Sequence, residues 1–135
     1  MRMFLFSFVL LGLIAANTNA RAESPVGAEE FDKYTRGKTL FYGFAGEPYG
    51  VERYFPGRRV IWSFLDGRCL EGHWYQEADQ ICFIYEDRPN PECWHFTLGD
   101  GGLIARLEGD AISTELYEGS DIGAEMICYG PEVGV

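Results

Sequence analysis

The sequence predicts an all-β protein, in which about eight short strands form one antiparallel meander that closes into a small barrel or a strongly curved sheet. Two features point to this class. Aromatic residues make up 16% of the chain and glycines number 17, and both favour strands joined by tight turns. Beyond residue 37, aromatic and β-branched runs are cut at short intervals by Gly, Pro and Asp, a pattern typical of antiparallel strands.

Residues 1–22 have the pattern of a signal peptide. Arg2 gives a basic start, residues 3–16 are almost all apolar, and residues 20–22 carry the small-x-small motif that signal peptidase recognises. The apolar run is shorter than the roughly 20 residues that a membrane-spanning helix needs. We therefore expect cleavage after Ala22, with Ala20 as the alternative, and a periplasmic or secreted protein that has no membrane span after cleavage.

Residues 23–36 are predicted to form a short N-terminal arm, because Phe31 and Tyr34 have the spacing of one helical face. Residues 37–135 are expected to form one disulfide-bonded β domain, since no segment is long enough to act as a linker. Within that domain we predict strands at 39–44, 51–55, 59–64, 69–75, 80–86, 92–98, 103–107, 111–117 and 125–129.

The chain is acidic, with 21 Asp and Glu against 11 Lys and Arg and a formal net charge of −10 at pH 7. Nucleic acid and anionic membrane surfaces repel such a protein, so neither is an expected partner. We expect a monomer whose partner is a small ligand or another envelope or secreted protein.

Four cysteines follow the signal, and an even count in a small exported chain indicates two disulfides. They are Cys69, Cys82, Cys93 and Cys128. A zinc site is the alternative, but the chain has no CxxC pair, and His73 and His95 are far apart in sequence. No metal or other cofactor is therefore expected.

Turn lengths set the expected register of the strands. A two-residue hairpin at 66–67 places Trp62 opposite Glu71, and the next loop places Trp74 opposite Cys82. The apolar face then holds Val60, Trp62, Phe64, Cys69, Ile81, Phe83, Tyr85, Trp94, Phe96 and Leu98. The opposite, mixed face holds Arg59, Ser63, Trp74, Cys82, Glu86, Cys93, His95 and Thr97.

The same register predicts the disulfide pairing. The proline-rich loop at 88–91 places Cys82 directly opposite Cys93, close enough to bond. Cys69 points away from this pair, so Cys128 is the favoured partner of Cys69 among the three possible connectivities.

Two polar residues, Glu71 and His73, fall on the predicted apolar face. If the Pro-Gly pair at 56–57 forms a tight turn, Arg53 also points inward. These three side chains would then lie together in an aromatic cavity, where they could bind the polar head of a ligand. A register slip of one residue would instead send them to solvent. Trp74 is a further candidate for ligand contact, because it falls on the mixed face beside the expected Cys82–Cys93 disulfide.

Catalytic motifs are missing from the sequence: the serines lack a GxSxG context, and no HExxH, Walker or EF-hand pattern is present. We therefore expect a non-enzymatic binding or interaction module of the bacterial periplasm or cell envelope. One alternative is an inhibitor of a secreted or host hydrolase, whose acidic loops would meet a basic enzyme. Another alternative is a small hydrolase that uses Glu71 and His73.

A series of short motifs gives the chain a family resemblance. The motifs are Gly37-Lys38-Thr39, Phe55-Pro56-Gly57-Arg58, Trp62, Gly72-His73-Trp74, Ile81-Cys82-Phe83-Ile84-Tyr85 and Cys93-Trp94. The series, over residues 37–98, resembles small exported bacterial proteins grouped as a domain of unknown function. This resemblance implies a short β domain after a signal peptide, with Cys82 and Cys93 paired and no catalytic residue to carry over. Residues 72–74 also resemble the Gly-x-Trp motif of lipocalins, although here the motif lies in the middle of the chain.

Overall fold

The computed structural model describes residues 24–107, 109, 114–119 and 125–129, and within them one helix precedes eight antiparallel strands. The elements are α1 Ala28–Thr35, β1 Thr39–Phe44, β2 Glu47–Tyr54, β3 Arg59–Ser63, β4 Leu70–Glu77, β5 Gln80–Tyr85, β6 Glu92–Gly99, β7 Gly102–Leu107 and β8 Glu115–Glu118. Each strand pairs with the next, and β8 pairs with β1, so the sheet closes into a barrel. The predicted all-β meander is confirmed.

The predicted strand at 125–129 is wrong. These residues form no strand, and the Tyr129 N–H donates to the Gly67 carbonyl at 2.7 Å, beside the loop that joins β3 to β4. The reason is topological: once β8 pairs with β1, the barrel has no free edge for a ninth strand. The predicted signal at 1–22 and residues 111–113 of the predicted eighth strand lie outside the described residues.

Helix α1 covers one end of the barrel, which we name the closed end. Acidic Glu29 and Glu30 occupy its first turn and Lys33 its last turn, a charge order that suits the helix dipole. Phe31 is fully buried, and its ring packs against four aromatic rings of the barrel, with centroids 4.8–6.2 Å apart. Those four rings belong to Tyr54, Trp74, Phe83 and Phe96. The loops that follow β1, β3 and β5 lie at the opposite end, the open end.

Both expected disulfides are present, and no described cysteine is free. Cys82 bonds to Cys93 across neighbouring strands β5 and β6, and Cys69 bonds to Cys128, 59 residues further along the chain. The second bond ties residues 125–129 to the outside of the barrel. Two disulfides indicate an oxidising environment outside the cytoplasm.

Three hairpins have a register that differs by one residue from the prediction, because their loops differ in length. The loop between β3 and β4 spans residues 64–69 instead of a two-residue turn, so Trp62 lies opposite Leu70. The turn between β4 and β5 has two residues instead of three, so Trp74 lies opposite Phe83. In the hairpin between β2 and β3 the predicted tight turn at 56–57 is wrong. The turn has three residues, 56–58, and the Phe55 N–H donates to the Arg59 carbonyl across it at 2.9 Å.

The barrel interior contains most of the predicted apolar face. Phe64 and Leu98 are exceptions, since 45% and 37% of these residues are exposed near the strand ends. Cys69 is a third exception, because it lies in the loop after β3, where it bonds to Cys128 on the outside of the barrel. Three residues expected on a partly wet face are instead buried: Ser63, Trp74 and Cys82. Trp74 turns inward as a result of the register, whereas Ser63 faces outward and lies beside residues 125–129.

Candidate ligand-binding site

A cavity of about 40 Å³ lies inside the open end of the barrel, which is room for two or three water molecules. Side chains from seven strands and two loops line it. They are Tyr42, Tyr49, Glu52, Tyr54, Trp62, Phe64, Phe83, Tyr85, Arg88, Glu92, Trp94, Phe96, Ala105 and Leu116. Nine of these fourteen residues are aromatic, so the cavity has apolar walls with a few polar groups, as ligand sites commonly do.

Glu52 is the buried acidic group of this cavity, with 2% of the residue exposed. It lies on β2 between Leu40 of β1 and Trp62 of β3, both of which are buried. The Tyr85 hydroxyl lies 3.0 Å and 3.1 Å from the two carboxylate oxygens and donates to them. Burial raises the pKa of Glu52 well above its usual range; the Tyr85 hydrogen bond lowers it, and the charge of Glu92 raises it further. The carboxyl group therefore favours its neutral form.

Two further tyrosines place hydroxyl groups in the interior. The hydroxyls of Tyr42 and Tyr54 share a hydrogen bond of 2.8 Å, and both residues are buried. Burial raises the pKa of each phenol, so both stay neutral over the physiological range. The cavity thus contains neutral hydroxyls around the buried carboxyl of Glu52.

Glycines let the large rings of this site lie against the backbone. A Cβ atom on Gly50 would stand 2.2 Å from the Trp62 ring, and one on Gly72 would stand 2.8 Å from the Tyr85 ring. These distances are below normal contact, so any larger residue would displace the rings. Gly50 and Gly72 therefore position the side chains that flank Glu52.

A β-bulge brings Tyr49 to the mouth of the cavity. Tyr42 pairs with Gly50 but Gly43 pairs with Pro48, which leaves Tyr49 as an extra residue on β2. A bulge of this kind redirects a side chain without ending the strand.

The mouth carries an aromatic cluster and a small charged network. The Tyr49 ring lies 6.0 Å from Trp62 and 5.8 Å from Phe64, between ring centroids. On the other side Arg88 pairs with Glu92 at 3.4 Å, and the Trp94 indole N–H donates to Glu92 at 3.1 Å. Strands β2 and β3 and the loop after β3 thus form the apolar side of the mouth, and strand β6 and the loop after β5 form its charged side.

The residues predicted to form an interior polar cluster do not lie inside. Arg53, Glu71 and His73 are all exposed on the outer surface of the barrel. The one-residue register changes explain this, because neighbouring residues of a strand point to opposite faces. Trp74 was expected beside the Cys82–Cys93 disulfide, but it lies in the core at the closed end, 5.0 Å from Phe31.

Sequence reasoning missed Glu52 and chose its neighbour Arg53 instead. The missing signal was the three-residue turn at 56–58, where Gly57 and Arg58 both have positive φ angles of 78° and 62°. The sequence did carry a signal for this length, because the fixed negative φ of Pro56 does not fit the first position of the primed turns that close two-residue hairpins. Had that length been assumed, Tyr54 and Glu52 would have been predicted to point inward.

Glu77 lies close to Cys82 and Cys93, and these three are the kinds of residue that bind metals. However, the two sulfurs are bonded to each other, so they offer no thiolate to a metal ion. Over the described ranges, no helix is long and apolar enough to cross a membrane.

No family model, curated protein or solved structure matches the chain.

Proposed function

We propose that the protein is an exported, non-enzymatic binding module of the bacterial periplasm or cell envelope, and that it holds a small ligand in the open end of its barrel. The observation that carries this proposal is the buried Glu52 carboxyl, which faces a cavity with aromatic walls. A buried carboxyl lowers stability unless its polar atoms are satisfied. A ligand that hydrogen-bonds to it offers a reason for its presence.

The hydrogen-bonding capacity of Glu52 supports this proposal. A carboxylate has about four acceptor positions, and the Tyr85 hydroxyl supplies one proton to the two oxygens. The remaining capacity lies next to the cavity, where a ligand could use it.

The export part of the proposal rests on two observations. The described residues contain two disulfides, and the sequence begins with a signal-like pattern. The enzymatic alternative would use Glu71 and His73, which lie on the outer surface of β4 and do not line the cavity.

A fragment screen by NMR tests the proposal, because the three tryptophans report on different parts of the barrel. The indole N–H signals of Trp62 and Trp94 report on the cavity, and that of Trp74 reports on the closed end. We expect some fragments from a library of neutral, cationic and anionic compounds to shift the first two signals and leave the third unchanged. A library that shifts neither cavity signal would contradict the proposal.

A cavity-filling variant provides the control. Ala105→Val adds two methyl groups to a residue that lines the cavity, and it should weaken or abolish the fragment shifts. Thr97→Val places the same side chain on the outer face of β6 and should leave binding unchanged. Equal binding by both variants would mean that fragments bind elsewhere.

A further inference from the structure

We propose that the ligand of this cavity is a small organic cation whose ammonium group is held by the Glu52 carboxylate and the surrounding aromatic rings. This inference rests on the proposed function and names its ligand class. The walls supply the first argument. Aromatic rings carry negative charge on their faces and attract cations, and tryptophan and tyrosine, which line this cavity, do so most strongly.

The charges near the cavity supply the second argument. Two carboxyl groups line it, those of Glu52 and Glu92, against one cationic group, that of Arg88. The Arg88 guanidinium is already paired with Asp87 at 3.0 Å and with Glu92 at 3.4 Å. An anionic ligand would therefore lie beside the charge of Glu92 and keep Glu52 protonated, whereas the charge of a cationic ligand can be balanced by ionisation of Glu52.

The chain itself places a cation on one wall. The Arg88 guanidinium lies over the Tyr85 ring, 5.7 Å from the ring centroid. This distance is within the range of a cation–π contact. The ring next to Glu52 therefore already accepts a cation from the chain itself.

Size and overall charge narrow the class further. A volume of about 40 Å³ accommodates an ammonium group and the carbon atoms next to it, but not the rest of a larger ligand. The rest of the ligand would lie at the mouth against Tyr49 and Phe64, whose rings form an apolar surface. The formal charge of −10 would also raise the rate at which cations encounter the protein.

Ionisation of Glu52 gives this mode of binding a signature. The groups that face Glu52 are Tyr42 on β1, Tyr54 on its own strand, Tyr85 on β5, Glu92 on β6 and Arg88 in the loop after β5. Burial keeps the three phenols neutral and favours the protonated carboxyl. A cation favours the ionised carboxyl, so binding should release a proton from Glu52 to solvent below its raised pKa. The affinity should then rise with pH, by up to about tenfold per pH unit.

The test uses three probes that share a benzyl group and differ in charge: benzylammonium, benzyl alcohol and phenylacetate. Binding to the full chain is measured by calorimetry and by the indole signals of Trp62 and Trp94. We expect benzylammonium to bind at least roughly tenfold more tightly than benzyl alcohol at mildly alkaline pH, and phenylacetate more weakly than either. Calorimetry in buffers with different ionisation enthalpies should show release of a proton when benzylammonium binds at mildly acidic pH.

Glu52→Gln and Glu71→Gln form a matched pair of variants, because the first changes the cavity carboxyl and the second an exposed carboxyl on the outer surface. Glu52→Gln should remove the preference for benzylammonium and the proton release, and Glu71→Gln should change neither. If Glu52→Gln does not fold, the comparison of the three probes on the unmodified protein decides the question by itself.

The outcomes separate this inference from the proposed function. Equal or tighter binding of benzyl alcohol or phenylacetate would overturn the cation assignment and leave the binding function in place. Failure of benzylammonium to bind, while neutral fragments shift Trp62 and Trp94, would have the same meaning. Failure of every fragment to shift those signals would overturn both proposals.

Discussion

The closed and open ends of the barrel contain the same kinds of aromatic residue but pack them differently. At the closed end Phe31 is fully buried and its ring meets Tyr54, Trp74, Phe83 and Phe96. At the open end the rings of Tyr49, Trp62 and Phe64 stand beside a cavity that contains a buried carboxyl. This difference indicates that the closed end contributes more to stability than the open end. At the open end, a cavity reduces packing and a carboxyl group is removed from solvent.

The largest effect is expected at the closed end. Phe31→Ala should lower the free energy of unfolding by about 5 kcal/mol, because it removes a fully buried ring from between four others. Urea denaturation measures this loss. Lys33→Ala, an exposed position on the same helix, is the control and should change stability by less than about 0.5 kcal/mol. Similar losses for both variants would mean that α1 does not close the barrel.

The Cys69–Cys128 disulfide holds residues 125–129 next to the loop of the open end, so its removal is the next strongest perturbation. In the double variant Cys69→Ser/Cys128→Ser the free energy of unfolding should be lower by roughly 4 kcal/mol, because the bond closes a long loop in the unfolded chain. Thermal unfolding measures the loss, and peptide mapping of the variant should still show Cys82 linked to Cys93. A peptide map of the unmodified protein with any other pairing would contradict the structure.

Tyr85→Phe tests the hydrogen bond inside the open end. The variant leaves the buried Glu52 carboxyl without this donor, which should lower the free energy of unfolding by about 2 kcal/mol. Tyr75→Phe removes the same hydroxyl from a half-buried residue on the outer face of β4 and should have a smaller effect. Equal losses would mean that Glu52 does not depend on Tyr85.

The pH dependence of stability distinguishes the buried carboxyl of Glu52 from the exposed carboxyl groups of the protein. The pKa of Glu52 is raised in the folded protein, so the folded state binds a proton more tightly than the unfolded state. The resulting stabilisation is complete below the unfolded value of 4.5 and is lost as the pH rises through the folded value. Between these two pH values, the free energy of unfolding of the unmodified protein should fall relative to that of Glu52→Gln, by up to about 1.4 kcal/mol per pH unit. Parallel stability curves for the two proteins would contradict the burial of an ionisable Glu52.

The smallest effects are expected on the outer surface. Glu71→Ala and His73→Ala should each change stability by less than about 0.5 kcal/mol, since both side chains are exposed. Neither variant should alter the fragment shifts of Trp62 and Trp94. Loss of those shifts would restore Glu71 or His73 as a candidate for ligand binding.

The sequence allowed the barrel and both disulfides to be predicted, but not the acidic residue of the cavity. Strands β3, β5 and β6 carry strong apolar alternation, so residues such as Val60, Ile81 and Trp94 were correctly expected inside. Strands β2 and β4 alternate less clearly, and their orientation had to be inferred from loop length. An error of one residue there exchanges Glu52 for Arg53 and Trp74 for His73.

Loop length could not be read from these residues because several turns depend on backbone angles that the sequence specifies weakly. Arg58, Leu65 and Ala78 have positive φ angles of 62°, 68° and 51°, although none of them is glycine. Such residues adopt this conformation only when the surrounding structure requires it.

Titration of the Glu52 side-chain carboxyl by ¹³C NMR tests the central claim most directly. The signal is assigned by its loss in Glu52→Gln and followed from acidic to alkaline pH. Our account predicts a midpoint well above the usual 4.5, because burial inside the open end disfavours the charged form. A midpoint close to 4.5 would show that the carboxyl is solvated, and it would contradict the description of this cavity as an enclosed acidic site.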